Sequence, residues 1–141
     1  MSADISGWVE VQDQNNDWRG VIQIDHLVQR SHRMFSLLFG DKDDDDLDVI
    51  AGRRGIPIPH SDEVAFGLQR GPDPIHPSWI SWEELSQIDW DLYDRRDTLR
   101  GGWVTLMRMM ELLAQDIDYG WGTAWGAGRI RLVVWFDMPW G

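Results

Sequence analysis

A histidine, a serine and a tryptophan lie within four residues at His76-Pro77-Ser78-Trp79. A histidine can act as a general base, and a serine hydroxyl can act as a nucleophile or bind a ligand. The chain has no His-Glu-x-x-His motif, no Gly-x-Ser-x-Gly motif and no cysteine. His26 and His32 are six residues apart, which does not place two metal ligands on one helix face. These residues therefore favour ligand binding over catalysis or metal coordination.

Two arginines and one aspartate could complete a binding site around this cluster. Arg53 and Arg54 precede an extended segment that contains two prolines, and Asp137 follows the last apolar run. Arginine binds phosphate through paired hydrogen bonds, and tryptophan can stack on a base. We therefore expect a protein or a small, nucleotide-like ligand as the partner, and neither a cofactor nor a metal. The predicted site residues are Arg53, Arg54, His76, Ser78, Trp79 and Asp137.

An acidic loop is predicted at residues 41–48, where six of the eight residues are aspartates. An EF-hand calcium loop needs glycine at its sixth position and glutamate at its twelfth. Counting from Asp41 places Asp46 and Gly52 at those positions. The pattern therefore favours a solvated loop over a calcium site.

Length and composition restrict the class of protein. A chain of 141 residues suggests one globular domain over residues 1–141. The absence of cysteine fits a reducing cytoplasm, and the N-terminus shows no signal-peptide pattern. No apolar stretch has the length of a membrane helix. A net charge of −11 opposes nucleic-acid binding through a basic patch, and it leaves open a basic partner or a DNA-mimic role.

Tryptophan is unusually frequent, with ten residues, and all but one of the lysines and arginines are arginine. One small core can hardly bury ten such large side chains, each with an N–H that needs a partner. Most are expected in the core or half-buried, and some at a surface, a ligand site or an interface between copies of the chain. The arginines fit either defined ion pairs or a compositional bias.

The hydrophobic pattern predicts an α+β fold, with an antiparallel sheet formed by an N-terminal hairpin and a C-terminal strand, packed with about three helices. Two strands flank a turn-forming segment, and the last strand becomes continuously apolar, which is typical of an interior strand. Asp25 is the expected N-cap of the first helix. The predicted strands are 7–12, 18–24 and 129–136, and the predicted helices are 26–39, 61–69, 82–88 and 98–115.

A complete helix-start pattern lies at residues 80–85. Ser81 is a good N-cap, and Glu84 three residues later can complete a capping box. Ile80 and Leu85 stand in the hydrophobic-staple positions on either side of the cap. This structural role accounts for Glu84, so His76, Ser78 and Trp79 are expected in a loop that precedes the capped helix.

Four segments of the chain carry a recognisable pattern. They are Arg30-Ser31-His32-Arg33-Met34-Phe35, Arg54-Gly55-Ile56-Pro57, His76 to Leu85, and Arg131-Leu132-Val133-Val134-Trp135-Phe136-Asp137. In this order they resemble a family of small, largely uncharacterised bacteriophage and prophage proteins. Where that family has His-Ser-x-Ser-Trp, this chain has His76-Pro77-Ser78-Trp79, and it carries an acidic loop and a Pro-Trp-Gly tail besides. The resemblance implies a phage-type accessory protein that acts on a host protein or a small ligand in a host cytoplasm, and it brings no established activity.

Three functions are compatible with these observations. The first is a non-catalytic cytoplasmic binding protein, because catalytic motifs are absent while tryptophan and arginine are abundant. The second is a structural or assembly protein of a virion. The third is a small hydrolase that uses His76 with a carboxylate such as Asp137 or Glu84. The sequence favours the first and leaves enzymatic activity unassigned.

Overall fold

The computed structural model describes residues 5–25, 27–28, 32–39, 50–71, 73–92, 101–121 and 126–136. Within these ranges the chain forms four strands, four α-helices and two short 3₁₀ helices, which confirms the predicted α+β class. The strands are β1 (Ile5–Gln12), β2 (Trp18–Gln23), β3 (Ile75–Ser81) and β4 (Ile130–Phe136). The α-helices are α1 (His32–Phe39), α2 (Asp62–Arg70), α3 (Trp82–Ser86) and α4 (Trp103–Trp121), and the 3₁₀ helices are Trp90–Leu92 and Gly126–Arg129.

The four strands form one antiparallel sheet in the order β2-β1-β4-β3. Strand β4 pairs with β1 from Ile130 to Phe136, and all seven of its residues are buried. Such burial on both faces explains the continuous apolar run, and it confirms the predicted interior strand.

The predicted hairpin between β1 and β2 is also confirmed. Its turn is closed by Asp13, whose Oδ1 accepts hydrogen bonds from the backbone N–H groups of Asn15 (2.9 Å) and Asp17 (3.0 Å). Asn16 has a φ of 66°, a left-handed conformation that asparagine tolerates better than most residues. The local turn chemistry therefore suffices to form this hairpin.

Strand β3 corrects the prediction of a loop around His76, Ser78 and Trp79. All three lie in β3 at one edge of the sheet, where Ser78 pairs with Val134 and Trp79 with Val133 of β4. The register is irregular between Ile75 and Ser78, where His76 has a left-handed backbone (φ 49°) and Pro77 follows. A proline within the segment is the reason why the sequence did not predict a strand here. Proline is tolerated there because an edge strand does not need every backbone N–H for pairing.

Helix α1 begins later than predicted. Its first residue is His32 rather than residue 26, and Ile24 to Val28 contain a turn in which the N–H groups of Leu27 and Val28 bond to the Ile24 carbonyl. Asp25 is not its N-cap, since the Asp25 Oδ1 accepts the backbone N–H of Gly7 at 3.1 Å. A contact between distant parts of the chain has overridden the local capping pattern.

Helix α4 begins at Trp103 instead of residue 98. Gly101 and Gly102 form a turn before it with φ values of 70° and 91°, which residues with a side chain rarely adopt. Leu106 and Met110, four residues apart on one side of this helix, are fully buried in the main core. The predicted first turn from residue 98 lies outside the described residues, as do the acidic loop at 41–48 and the C-terminal tail.

The two faces of the sheet have different cover. One face supports the main core, which α1, α3 and α4 complete. The opposite face carries α2, whose Val64 packs on Val133 and Trp135 of β4, with Trp8 and Trp79 at the margin. Of the seven tryptophans whose burial is described, two are buried and five are half-buried, as expected from their number. Within the described ranges, no helix has the length and apolar character needed to span a bilayer.

Candidate functional site

The predicted site residues Arg54, Ser78 and Trp79 come together at the outer edge of β3. The Arg54 guanidinium donates to both oxygens of Glu84, at 2.7 Å and 2.6 Å, and to the carbonyls of Trp79 (3.2 Å) and Ile50 (3.0 Å). It also lies 5.0 Å from the centre of the Trp79 ring, in cation–π geometry. Arg54 thus joins an internal loop, the edge strand and the first turn of α3.

Ser78 attaches the same loop to β3. Its buried hydroxyl accepts the N–H of Arg54 at 3.1 Å and donates to the carbonyl of Ala51. The N–H of Gly55 donates to the carbonyl of Pro77 at 3.0 Å. Residues 51–55 therefore cover the outer edge of β3, and the described role of Ser78 is structural.

Glu84 has two structural tasks in this cluster. The predicted capping box is present, with the N–H of Glu84 bonded to the Ser81 hydroxyl at 3.1 Å and the Ser81 N–H bonded to Glu84 at 3.3 Å. The hydrogen-bonded Arg54 guanidinium lowers the pKa of Glu84. A carboxylate held in its ionised form is a weak base, so this geometry does not support Glu84 as the base of a hydrolase.

The remaining predicted residues do not converge to the same degree. Arg53 is exposed, with a left-handed backbone (φ 51°), and His76 lies in β3 with a similar φ of 49°. Left-handed backbone at non-glycine residues is uncommon and occurs at turns and at ligand sites. Asp137 lies outside the described residues. The assignment of these six residues to a site stays a prediction.

A buried ion pair, which the sequence analysis missed, lies on the sheet face that α2 covers. The Nε of Arg131 on β4 donates to Glu10 on β1 at 2.6 Å, and these side chains are 8% and 0% exposed. A second Arg131 nitrogen donates to the Pro59 carbonyl, and the second Glu10 oxygen accepts the N–H of Ser61, each at 2.6 Å. The Trp18 ring stacks on the guanidinium at 3.7 Å. Each member of the pair thus has a backbone partner besides the other, which helps to offset the cost of burying the two charges.

This ion pair fixes the position of α2. Ser61, which Glu10 holds, is the N-cap of α2, and its hydroxyl accepts the N–H of Val64 at 3.1 Å. Further along α2, a side chain at Gly67 would meet the ring of Trp135 at 3.2 Å, so glycine allows the helix to lie close to the sheet. The start of α2 and its glycine together set the distance between helix and strands.

A cleft of about 810 Å³ lies between α2 and the sheet. Trp8 and Trp135 contribute aromatic surface from the strands, and Phe66, which is 58% exposed, contributes it from the helix. A volume of this size can accept a small molecule or a few side chains of a partner. The lining residues are Ser6, Trp8, Gln23, Asp25, Asp62, Glu63, Phe66, Gly67, Arg70, Gly71 and Trp135.

Carboxylates dominate the polar surface of the cleft. Within the described part of the chain, the side chains of Asp62 and Glu63 form no hydrogen bond or salt bridge. Arg70, which also lines the cleft, stacks on Phe66 with 5.2 Å between the guanidinium and the ring centre. Aromatic rings beside carboxylates are the groups that bind a cation carried on an apolar stem.

The sequence contained one sign of this second face. Arg131 interrupts an apolar strand, and a charged residue inside a buried strand needs a partner. Its partner Glu10 is 121 residues away, and no local pattern links the two residues. The lining of the cleft comes from β1, β2, α2 and β4, so it could not be assembled from local spacing.

The other places in the described chain where a ligand could bind offer fewer polar groups than the cleft beside α2. A shallower hollow of about 510 Å³ lies between α3 and α4, lined largely by apolar side chains that include Trp82, Trp90 and Met107. Among the described side chains, no group of three or more histidines and acids is placed to hold a metal ion. The cleft beside α2 is therefore the leading candidate site.

No protein-family model matches the chain, and no significant match is found among curated proteins or solved structures. The resemblance of four segments to phage-type proteins stays a prediction.

Proposed function

We propose that this chain is a non-catalytic binding protein whose cleft receives a cationic side chain of a basic protein partner. The observation that carries the proposal is the combination of three aromatic rings with the carboxylates of Asp62 and Glu63 in one cleft. Rings offer a negative face to a cation, and the carboxylates complement its charge. An arginine or a lysine can bury its apolar stem against the rings.

The charge of the whole chain supports the same class of partner. A net charge of −11 produces a negative field that attracts basic proteins and accelerates their association. This long-range attraction supplies encounter rate, whereas the cleft supplies the specific contact. Both effects weaken with added salt. At physiological ionic strength, dissolved ions largely screen exposed charges that are more than about 8 Å apart, and more salt shortens this distance.

A binding role suits the inventory of the cleft better than a catalytic one. Among the residues that the structure describes, its lining contains no histidine, cysteine or lysine. Those side chains are the usual nucleophiles and proton carriers near neutral pH. A nucleotide-like ligand ranks second as the partner. Of the two arginines predicted to bind its phosphate, Arg54 is bonded to Glu84, which leaves Arg53 for that role.

Titration with a basic peptide tests the proposal. The probe is an acetylated and amidated heptapeptide of alternating valine and arginine, and calorimetry measures its affinity. We expect the pair Asp62→Asn and Glu63→Gln to weaken binding at least about fivefold through the lost charge contacts. The control pair Glu83→Gln and Asp89→Asn changes the net charge equally, on exposed residues of or beside α3.

Two results would overturn the proposal. The first is the absence of binding at a peptide concentration of about 1 mM, where even weak specific contacts are detected. The second is an equal loss of affinity in the cleft pair and in the control pair, since that would show attraction by net charge alone.

A further inference from the structure

The two edge strands of the sheet differ in how many of their outer backbone groups are hydrogen-bonded to other parts of the chain. At the β3 edge, the carbonyls of Pro77 and Trp79 are bonded to Gly55 and Arg54. At the β2 edge, no hydrogen bond apart from those to β1 reaches the backbone of Trp18–Gln23 within the described residues. An edge strand with free N–H and C=O groups can pair with another extended chain.

Strand β2 lies directly beside the mouth of the cleft. Gln23 belongs to the lining of the cleft, and Glu63 of α2 lies so close to Gly20 that a side chain there would meet it at 2.7 Å. Val21 has no partner on β1 and is 46% exposed at a bulge in the strand. A bulge protects an edge only in part, because backbone groups remain open on either side of it.

We propose that the basic partner binds in extended form and adds to β2 as a fifth strand, with one basic side chain in the cleft. This inference rests on the proposed function and names the form in which the cationic group arrives. Residues two apart along a strand lie on one face, about 6.6 Å from each other. One such side chain reaches the cleft while its neighbours in sequence face the other side of the sheet.

Charge selects a basic segment over a second copy of this chain as the occupant. Asp17 and Asp25 flank the ends of β2, and Asp62 and Glu63 lie above it on α2. Pairing of two β2 edges would bring both sets of carboxylates together, and like charges facing each other oppose association. Arg19 offsets these charges only in part, because it also interacts with Asp17 and Glu63 while its guanidinium is bonded to Asp13 at 2.8 Å.

Backbone methylation of the valine–arginine heptapeptide tests strand addition. In an extended strand, the N–H groups of alternate residues point to opposite sides. One peptide is methylated at the backbone nitrogens of its arginines, and a second at the backbone nitrogens of its valines. The two peptides are therefore blocked along opposite edges. We expect one of these two peptides to bind about tenfold or more weakly than the parent, and the other to bind like it. Hydrogen exchange should show added protection at residues 18–23 only with peptides that bind.

The outcomes separate this inference from the proposed function. If the parent peptide binds through Asp62 and Glu63 but both methylated peptides bind equally well, strand addition is wrong and the cleft proposal stands. If the parent peptide does not bind, the proposed function fails first. A concentration-dependent dimer with protection at residues 18–23 in the absence of peptide would make a second copy the occupant and would also overturn the inference.

Discussion

Glu10 and Arg131 form a buried ion pair at 2.6 Å that joins the two central strands and anchors the start of α2. Burial lowers the pKa of Arg131, and the adjacent Glu10 carboxylate partly offsets this effect. The pair lies beneath Pro59 and Ser61, so the loop that leads into α2 depends on both residues. The position of the cleft therefore depends on this contact, together with the packing of α2 on Trp135.

Replacing one member of this pair should destabilise the protein strongly. Arg131→Leu leaves the Glu10 carboxylate buried without a cation, which typically costs about 3–5 kcal/mol of unfolding free energy. Urea denaturation measures this change. The double variant Glu10→Leu with Arg131→Leu should recover part of the loss, because neither charge then remains buried. Arg19→Leu removes an exposed cation and should have far less effect; an equal effect would contradict the role of burial.

The hydroxyl of Ser78 should matter more than that of an exposed serine. Ser78→Ala removes an acceptor for the Arg54 N–H and leaves the Ala51 carbonyl without its donor. We expect a loss of about 1–3 kcal/mol in unfolding free energy, as for other buried polar groups left unsatisfied. Thermal or urea unfolding of Ser86→Ala provides the matched control, because Ser86 is exposed and bonds only within its own helix. Similar losses in the two variants would refute a structural role for Ser78.

The Arg54–Glu84 pair should make stability depend on acid pH. Hydrogen bonding to Arg54 lowers the pKa of folded Glu84, so this stabilisation is complete above the usual glutamate pKa of about 4.3. It is lost as the pH falls from there through the lower pKa of the folded state. The pair is partly exposed, so the contribution is about 1 kcal/mol or less. In Arg54→Met, the unfolding free energy should depend less on pH between about pH 5 and pH 2 than it does in the parent protein. An unchanged slope of unfolding free energy against pH would contradict this assignment.

Arg70 should compete with a bound cation. Its guanidinium stacks on Phe66, the ring that we expect to receive the partner's charged side chain. Arg70→Gln frees that ring and removes a like charge, so the affinity for the basic heptapeptide should rise about threefold. Calorimetry at constant ionic strength measures it, with Gln69→Ala on the neighbouring exposed position as control. Weaker binding by Arg70→Gln would place the peptide outside the region around Phe66.

Features that depend on neighbours in sequence were predictable. The hairpin turn at Asp13, the capping box at Ser81 and Glu84, and the apolar face of α4 around Leu106 all follow from residues within a few positions of one another. The continuous apolar run likewise identified β4 as interior. Each of these patterns has a local physical cause, and tertiary contacts reinforced it.

The predictions failed where distant contacts decided the outcome. Asp25 has the sequence pattern of an N-cap, yet its carboxylate bonds to Gly7 in β1. His76 and Ser78 precede a capped helix, yet pairing with β4 makes their segment a strand despite Pro77. The energy of such pairing comes from a partner more than fifty residues away, which no window of local sequence contains.

By itself, the sequence determined the α+β class, the acidity of the chain and most of the elements, because composition and hydrophobic period act locally. Only the tertiary structure decided where its charges lie relative to its aromatic rings. Glu10 and Arg131 are 121 residues apart, and their burial side by side holds α2 over the tryptophans of the sheet. A buried charge must find its partner in space, and that requirement joins distant segments into the cleft.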